Sequence, residues 1–213
     1  MSGILASLST NWIEIVAVAF GLVSVWLTTR EHIASWPTAI VNVGIFFVIF
    51  WQAQLYADSV LQLFYLTISV YGWWAWLHGG AMRTPLRVSR APKRLWLVGA
   101  PACLLFGVAL GAMLDRYTDS PVPYFDAILT SASLGAQWMM TRKILENWIV
   151  WICANLVYVP LMYVRGLPFT ALQYTVFTVL AVKGYADWKR SWAADQFTGV
   201  PAPGGPAAGG LGA

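Results

Sequence analysis

The chain has 213 residues, of which 59% are hydrophobic and 10% are charged, and its formal net charge is +4. About a quarter of the residues in a soluble domain are charged, so this composition excludes an ordinary water-soluble protein. The positive charge does not indicate nucleic-acid binding, because the basic residues lie between long apolar stretches.

In chain order, seven apolar stretches are long enough to cross a hydrocarbon core of ~30 Å as helices of ~20 residues. Lipid offers no hydrogen-bond partners, so each stretch must satisfy its own backbone, and stretches this long cannot be short barrel strands. The segment 1–10 has no Lys or Arg, so we expect no cleavable signal peptide. We predict an all-α integral membrane protein with spans at 11–29, 36–53, 58–77, 94–114, 123–141, 146–164 and 168–188.

The distribution of Lys and Arg predicts the orientation of these spans. If the amino terminus is outside, only Arg116 and Arg165 face outwards. The inner segments then hold Arg30, Arg83, Arg87, Arg90, Lys93, Arg94, Arg142, Lys143, Lys183, Lys189 and Arg190. This positive-inside bias predicts an outer amino terminus and a cytoplasmic carboxyl terminus. Apart from orientation, we interpret these charges as parts of solvated loops.

The spans on either side of a basic break resemble each other. The break at 78–93 is rich in Gly, Pro and Arg, and it separates the first three spans from the other four. When residues 11–77 are laid on 123–189 at an offset of 112, several landmarks coincide, namely Trp26 with Trp138, Arg30 with Arg142, Trp36 with Trp148, Gly72 with Gly184, and Trp76 with Trp188.

This offset predicts two three-helix bundles joined by a linker helix at 94–114, an arrangement written 3+1+3. Three plus one crossings is an even number, so the two bundles must be parallel. Parallel repeats are found in transporters whose substrate site lies near the midplane, at the repeat interface. The Gly-, Pro- and Ala-rich tail at 193–213 is expected to be disordered.

Trp148, Trp151 and Asn155 follow each other at spacings of three and four, so they share one face of the sixth helix. Two indoles offer electron-rich faces to a planar and especially a cationic ring, and an amide one turn further on can both donate and accept. We predict a cradle for a heteroaromatic ligand. The alternative is an interfacial aromatic belt for Trp148 and an interhelical hydrogen bond for Asn155.

Further polar groups inside the spans are candidates for substrate contact, since polar side chains at membrane depth are costly and often functional. They are Asn42, Gln62, Gln137 and Gln173. For each amide, a helix-to-helix hydrogen bond is the alternative. Tyr65, Ser69 and Trp73 form a stripe at four-residue spacing on the third span, for which core packing is the alternative to substrate contact.

Several classes of chemistry are disfavoured by the sequence. No His or carboxylate lies at mid-span, which favours uniport over proton coupling. The chain shows no nucleophile with a base, no metal cluster and no phosphate-binding glycine loop, so an enzyme is the weaker class and no metal or cofactor is predicted. Cys103 and Cys153 fall inside spans and suggest neither a disulfide nor a metal site.

Four segments resemble the bacterial PnuC-type vitamin transporters, typified by nicotinamide riboside transporters and related to the SWEET sugar carriers. They are SWPTAIVNVGIFF at 35–47, LQLFYLTISVYGWWAW at 61–76, RKILENWIVWICANLVYVPLMY at 142–163 and GYADWK at 184–189. The resemblance implies a seven-helix 3+1+3 fold, a homotrimer in the bacterial inner membrane, and facilitated diffusion of a vitamin that cytoplasmic phosphorylation then traps.

The resemblance also implies that Trp148, Trp151 and Asn155 bind substrate, with Asn42 and Gln137 as further contacts. Nicotinamide riboside fits, because it combines a cationic pyridinium ring with a carboxamide. Thiamine and riboflavin stay open as substrates, and no residue of the sequence decides among the three. From a different class, a non-transporting scaffold subunit would use the same amides to hold helices together.

Overall fold

The computed structural model describes residues 12–52, 54, 56–118, 122–164 and 168–197. Within them the chain forms seven α-helices, and the fold class is confirmed as all-α. A 3₁₀ turn at Ala81–Arg83 follows the third helix, and a π-helical turn at Leu95–Gly99 leads into the fourth. The helices are α1 Trp12–Thr29, α2 Ser35–Gln52, α3 Tyr56–His78, α4 Ala100–Tyr117, α5 Pro123–Thr141, α6 Asn147–Val164 and α7 Pro168–Phe197.

The surface of the bundle is apolar and part of its interior is polar, which is the distribution expected in lipid. Leu97, Leu105 and Val98 are among the large hydrophobic side chains left exposed on or just before α4, whereas Ser69 and Asn155 are buried. By length and composition, four helical stretches are able to cross a membrane, namely Ser35–Gln52, Ser59–His78, Leu95–Tyr117 and Asn147–Val164, and a shorter apolar one covers Ile15–Thr29.

Helices α5 and α7 are less apolar than the other helices, and several of their polar side chains have partners within the protein. On α5, Ser131 and Ser133 are buried, and the Ser133 hydroxyl donates to the Leu129 carbonyl at 2.9 Å. On α7, Lys183 and Asp187 form an ion pair one turn apart. Helices packed within a bundle need a smaller apolar face than helices surrounded by lipid.

The ends of α1 and α5 are built alike at the offset of 112. The Thr29 hydroxyl donates to the Trp26 carbonyl at 2.8 Å, and the Thr141 hydroxyl donates to the Trp138 carbonyl at 2.7 Å. Arg30, which follows Thr29, lies over the Trp26 ring, and Arg142, which follows Thr141, lies over the Trp138 ring. The next residue in each case, Glu31 or Lys143, has a positive φ. These matching ends define what we call the basic end of the bundle.

A second set of contacts repeats between α2 and α3 and between α6 and α7. Trp36 packs its ring against Gly72 and, edge to face, against Trp76 at a centroid distance of 5.3 Å. Trp148 does the same with Gly184 and Trp188 at 5.4 Å. The glycines are required here, because a Cβ at either position would lie within 2.7 Å of the indole. The sequence landmarks are therefore packing partners.

The two bundles are joined at the basic end by reciprocal contacts. The Trp76 indole donates to the Met140 carbonyl at 3.0 Å, while the Trp188 indole donates to the Thr28 carbonyl at 2.9 Å. The two donors, Trp76 and Trp188, are 112 residues apart, and so are the two acceptors, Thr28 and Met140. The buried residues around these contacts form the basic-end cluster, which consists of Trp36, Trp76, Leu86, Val88, Leu145, Trp148, Ala181 and Trp188.

The segment 78–93 is largely exposed, but part of it packs against the bundle. Leu86 and Val88 are buried in the basic-end cluster, and Ser89 exchanges backbone hydrogen bonds with Lys143 and Leu145 at 3.0 and 2.9 Å. Burying two apolar side chains of this segment holds it across the basic end.

The interpretation of the basic residues as parts of solvated loops is wrong for Lys143, whereas Arg90 keeps 51% of its side chain exposed. Lys143 is 7% exposed, and its ammonium pairs with Glu31 at 2.9 Å. Arg90 pairs with Glu146, whose side chain is 9% exposed. A charge that is removed from water needs a partner, and the distribution of charge along the sequence does not reveal which charges find one.

Helix α7 is longer than its predicted span and continues past residue 188 into the segment expected to be disordered. Trp192 packs against the basic-end cluster, and Asp195 pairs with Arg87 at 2.9 Å. These contacts stabilise the last turns of the helix, which ends at Phe197. The predicted segment 1–10 and the remainder of the tail, 198–213, lie outside the described residues, as does Arg165.

Candidate functional site

A cavity of about 470 Å³ lies between the two bundles and is lined by residues of α1, α2, α3, α5, α6 and α7. Its size is within the range of pockets that hold small molecules. Towards the basic end it is bounded by Thr28, Ser35, Trp36, Met140 and Trp148, and Trp76 and Trp188 lie beyond them. Towards the other end, Phe50, Gln62 and Gln173 line it.

Of the ten candidate residues from the sequence, nine lie on this one cavity and Trp73 does not. The nine are Asn42 on α2, Gln62, Tyr65 and Ser69 on α3, Gln137 on α5, Trp148, Trp151 and Asn155 on α6, and Gln173 on α7. Because five helices contribute them, their convergence is a property of the packed bundle. The cavity thus combines indole rings, amides and hydroxyls, a set that suits a planar ligand with polar substituents.

The α6 stripe faces inwards as its spacing predicts. Trp148 is 1% exposed and Asn155 is 4% exposed, while Trp151 is partly buried against the basic-end cluster. The alternative of an interfacial belt does not hold for Trp148, because its ring packs on Gly184 and Trp188 instead of facing lipid. The indole nitrogens of Trp148 and Trp151 are buried and have no hydrogen-bond partner among the described residues.

Asn42 also serves the helix packing that the sequence left as its alternative role. Its side-chain nitrogen donates to the Ala17 carbonyl on α1 at 2.6 Å, and a Cβ at Gly21 would lie 3.0 Å from that nitrogen. One Asn42 donor is therefore used within the protein, which fixes the amide at the wall of the cavity. Its carbonyl oxygen is the part suited to a ligand donor.

The three residues of the stripe on α3 do not share one environment. Tyr65 and Ser69 line the cavity, and Ser69 is 2% exposed. Trp73 is 38% exposed and does not line it. A spacing of four residues turns about 40° beyond a full helical turn, so two such steps carry the third position out of the interior. Tyr65 and Ser69 therefore differ in environment from Trp73.

Part of the wall, most of it on the first bundle, was not predicted from the sequence. Ser24, Thr28, Ser35, Trp36, Phe46 and Phe50 line the cavity there, and Met140, Tyr174 and Phe177 add to the second bundle's side. Tyr174 stacks on Tyr158 with a centroid distance of 4.7 Å. The signal for Trp36 was present in the sequence, since it is the repeat partner of Trp148. Phe177 and Tyr174 also lie 112 residues after candidates, Tyr65 and Gln62, whereas Phe46 and Phe50 align with no candidate residue.

The described cavity wall contains no Asp, Glu, Lys, Arg or His. Charges gather instead beyond the basic-end cluster, where Glu31 pairs with Lys143 and Glu146 with Arg90. Cys103 and Cys153 are free thiols outside this cavity. The site can thus recognise a ligand through aromatic faces and neutral hydrogen bonds.

Comparison with known proteins gives concordant matches. A family model described as nicotinamide mononucleotide transporter matches residues 11–190. The nicotinamide riboside transporter PnuC of Escherichia coli is 27% identical over 206 residues, covering 85% of this chain and 86% of that protein. The riboflavin/roseoflavin transporter RibM of Streptomyces davaonensis is 25% identical over 182 residues, covering 83% of this chain and 84% of that protein.

A crystal structure of the vitamin B3 transporter PnuC matches with a TM-score of 0.70 at 21% identity, covering 91% of this chain and 87% of that one. The likeness of the two structures establishes the shared fold. The relatives named above are transporters. The chain is therefore a multi-pass membrane transporter and not an enzyme.

Proposed function

This chain belongs to the nicotinamide mononucleotide transporter family, and we propose that it takes up nicotinamide riboside across the bacterial inner membrane. Uptake proceeds by facilitated diffusion, and phosphorylation in the cytoplasm traps the substrate. The observation that carries the proposal is the uncharged cavity in which Trp151 and Asn155 stand one helical turn apart on the same wall.

The pyridinium ring of nicotinamide riboside is flat and cationic, so it gains from contact with an indole face. Trp151 offers such a face on the cavity wall. The carboxamide needs both an acceptor and a donor, and Asn155 or Gln137 supplies both from one side chain. A neutral wall is sufficient for this cation, because its charge is delocalised over an aromatic ring.

The same wall disfavours the mononucleotide that appears in the family description. A phosphate group carries up to two negative charges and is normally bound by Arg, Lys or a helix N-terminus. The described wall offers it no basic side chain. The nucleoside, which lacks the phosphate, is the better match to this cavity.

Thiamine and riboflavin are the alternative substrates, and a similar protein is named a riboflavin/roseoflavin transporter. The thiazolium ring of thiamine is also cationic, but thiamine has no carboxamide to engage the amides. Riboflavin is planar but uncharged, so it does not use the cation-binding property of the indole. The alternative of a scaffold subunit, in which the amides only join helices, is not retained, because the family model and the relatives are named as transporters.

Trp151→Ala should weaken binding of nicotinamide riboside by about tenfold, the effect expected from losing a cation–π contact of ~1–2 kcal/mol. Trp73→Ala is the matched control, since Trp73 is a Trp on α3 that is 38% exposed and does not line the cavity. Calorimetric titration of the purified protein with nicotinamide riboside, thiamine and riboflavin measures both. Wild-type protein that binds none of the three would refute the proposed function.

The proposal of facilitated diffusion is supported by the described cavity wall, which carries no His or carboxylate side chain. With no such group to change its charge, transport has no evident coupling to protons. Uptake of nicotinamide riboside into proteoliposomes should therefore be the same with and without a pH gradient. Accumulation against a substrate gradient when the interior is alkaline would contradict uniport.

We also propose that the amino terminus is outside, the carboxyl terminus is cytoplasmic, and the protein is a homotrimer. The orientation rests on the positive-inside bias, and a carboxyl-terminal reporter that is active only in the cytoplasm tests it. For the trimer, α4 leaves Leu104, Leu105 and Phe106 exposed. Native mass spectrometry of the detergent-solubilised protein distinguishes one subunit from three.

A further inference from the structure

A second cavity, of about 500 Å³, lies between α4, α5 and α6, apart from the cavity between the bundles. It extends from Leu95 and Met139 at the basic end to Leu104 and Ile128. Trp96 and Leu104 are 47% and 56% exposed, so this cavity is a groove that is open at the protein surface. No charged side chain of the described residues lines it. We call it the α4–α5 groove.

The groove exists because α4 and α5 separate towards the basic end. Further from that end the two helices are in close contact, since a Cβ at Gly111 would lie 2.9 Å from the Tyr124 Cα. At Gly99, by contrast, a Cβ would have no atom of α5 within 4 Å. The π-helical turn at Leu95–Gly99 belongs to this separated part, and such turns are rare and often found at functional sites.

The dimensions and chemistry of the groove suit one acyl chain. On α5 its wall extends from Ile128 to Met139, a length of ~16 Å along the helix. That length is about half of a hydrocarbon core of ~30 Å, which is the depth of one leaflet. The Cys103 thiol in the wall donates to the Ser131 carbonyl at 3.2 Å, so it needs no partner from a ligand. In lipid surroundings, a chain gains from close packing against such a wall.

Unpaired positive charge lies at the mouth of the groove at the basic end. Lys93 and Arg94 directly precede Leu95, and both are exposed. Arg142 is also exposed, and its guanidinium lies 5.9 Å from the centroid of the Trp138 ring, which lines the groove. None of these three cations forms an ion pair within the part of the chain that the structure describes. The helical segment that leads into α4 begins at Lys93, and the first turn of a helix adds partial positive charge.

We propose that the α4–α5 groove binds an anionic phospholipid of the leaflet at the basic end, with one acyl chain in the groove and the phosphate beside Lys93, Arg94 and Arg142. Basic pockets between transmembrane helices bind anionic head groups. The phospholipid brings an apolar chain and a compensating anion in one molecule. A second copy of the chain is less suited, because covering the mouth with protein would remove unpaired cations from water. The site does not depend on which vitamin the transporter carries, so it goes beyond the proposed function.

Native mass spectrometry of the detergent-solubilised protein tests the contact with the head group. Phosphatidylglycerol and phosphatidylcholine with identical acyl chains are titrated separately, so the two lipids differ only in the head group. Wild-type protein should retain phosphatidylglycerol preferentially. Arg94→Gln and Lys93→Gln should each weaken binding of phosphatidylglycerol by about fivefold, the effect of one basic residue near an anionic head group. Binding of phosphatidylcholine should be unchanged.

Lys189→Gln is the matched control for the loss of one charge. Lys189 is exposed and has no ion pair among the described residues, but it lies on α7, which packs against α6 and α1. The ratio of phosphatidylglycerol to phosphatidylcholine affinity should be the same as in wild type. A fivefold loss for Lys189→Gln as well would overturn the site, because net charge alone would then attract the lipid.

Ala132→Leu tests the position of the acyl chain. Ala132 lines the groove from α5, so a larger side chain there takes space from the chain, and binding of both lipids should fall by a similar factor. Ala112→Leu is the control, because Ala112 is exposed on α4 and lies outside the groove. It should bind both lipids as wild type does. Unchanged lipid binding by Ala132→Leu would contradict the placement of the chain.

The same spectra report the number of subunits. If Ala132→Leu changes that number and no variant changes the retained lipid, the groove is a contact between copies of the chain and the proposal fails. Equal retention of the two lipids by wild-type protein would also overturn it. Neither result bears on the uptake of nicotinamide riboside, which the titration with vitamins tests separately.

Discussion

Gly184→Ala is expected to destabilise the protein by about 2–3 kcal/mol, in the upper range for overpacking. A Cβ at this position would lie 2.6 Å from two atoms of the Trp148 ring. That ring is almost fully buried and is packed edge to face on Trp188, so it has little freedom to move except towards the cavity. Equilibrium unfolding in mixed micelles measures the loss.

Gly44→Ala on α2 is the matched control, because a Cβ there would have no heavy atom within 4 Å. It should be neutral, or stabilising by up to ~1 kcal/mol through helix propensity. Gly72→Ala, the repeat partner, should resemble Gly184→Ala, since its Cβ would lie 2.3 Å from the Trp36 ring. Equal stabilities for Gly184→Ala and Gly44→Ala would show that the ring adjusts and that close packing is not the reason for glycine.

Lys143→Met should destabilise the protein by about 2–3 kcal/mol, somewhat less than the ~3–5 kcal/mol typical when a fully buried pair is broken. The Lys143 ammonium pairs with Glu31 at 2.9 Å and lies 4.5 Å from the centroid of the Trp76 ring. Met keeps much of the apolar stem but leaves the Glu31 carboxylate, with 21% of its side chain exposed, without that partner. Chemical unfolding of Lys143→Met, of Glu31→Gln and of the double variant gives the coupling energy.

Arg87→Met provides the control for Lys143→Met. Arg87 pairs with Asp195 at the same distance of 2.9 Å, but the two side chains are 46% and 29% exposed. Exposed pairs contribute ~0–1 kcal/mol because water and salt screen them. If Arg87→Met and Lys143→Met cost the same, burial would not govern the Glu31–Lys143 interaction, and the junction between the bundles would depend on other contacts.

Both predictions concern positions related by the 112-residue offset, and this relation was visible in the sequence only as shared residue types. Trp36 and Gly72 could be aligned with Trp148 and Gly184. The alignment does not show that each position must be glycine to leave space for the indole ring. Glu31 and Lys143 differ in type, so the alignment gave them no weight. In the structure they share a positive φ and face each other across the junction.

The sequence by itself determined the helices and much of the cavity wall. Apolar stretches of membrane length fix helices because lipid leaves the backbone no other partner, and the three- and four-residue spacings place Trp148, Trp151 and Asn155 on one face. Amides within apolar stretches are conspicuous, so Asn42, Gln62, Gln137 and Gln173 could be identified without coordinates.

Only the tertiary structure decided which residues contact each other. The packing of Trp36 on Gly72, the order of segment 78–93, the extension of α7 to Phe197 and the buried Glu31–Lys143 pair all depend on contacts that the local sequence pattern does not contain. Such contacts produce no periodic pattern in the sequence. A local pattern shows which face of a helix is buried, but it does not show which residues cover that face. The cavity exists because two similar bundles pack against each other, and the identity of each facing residue follows from that packing.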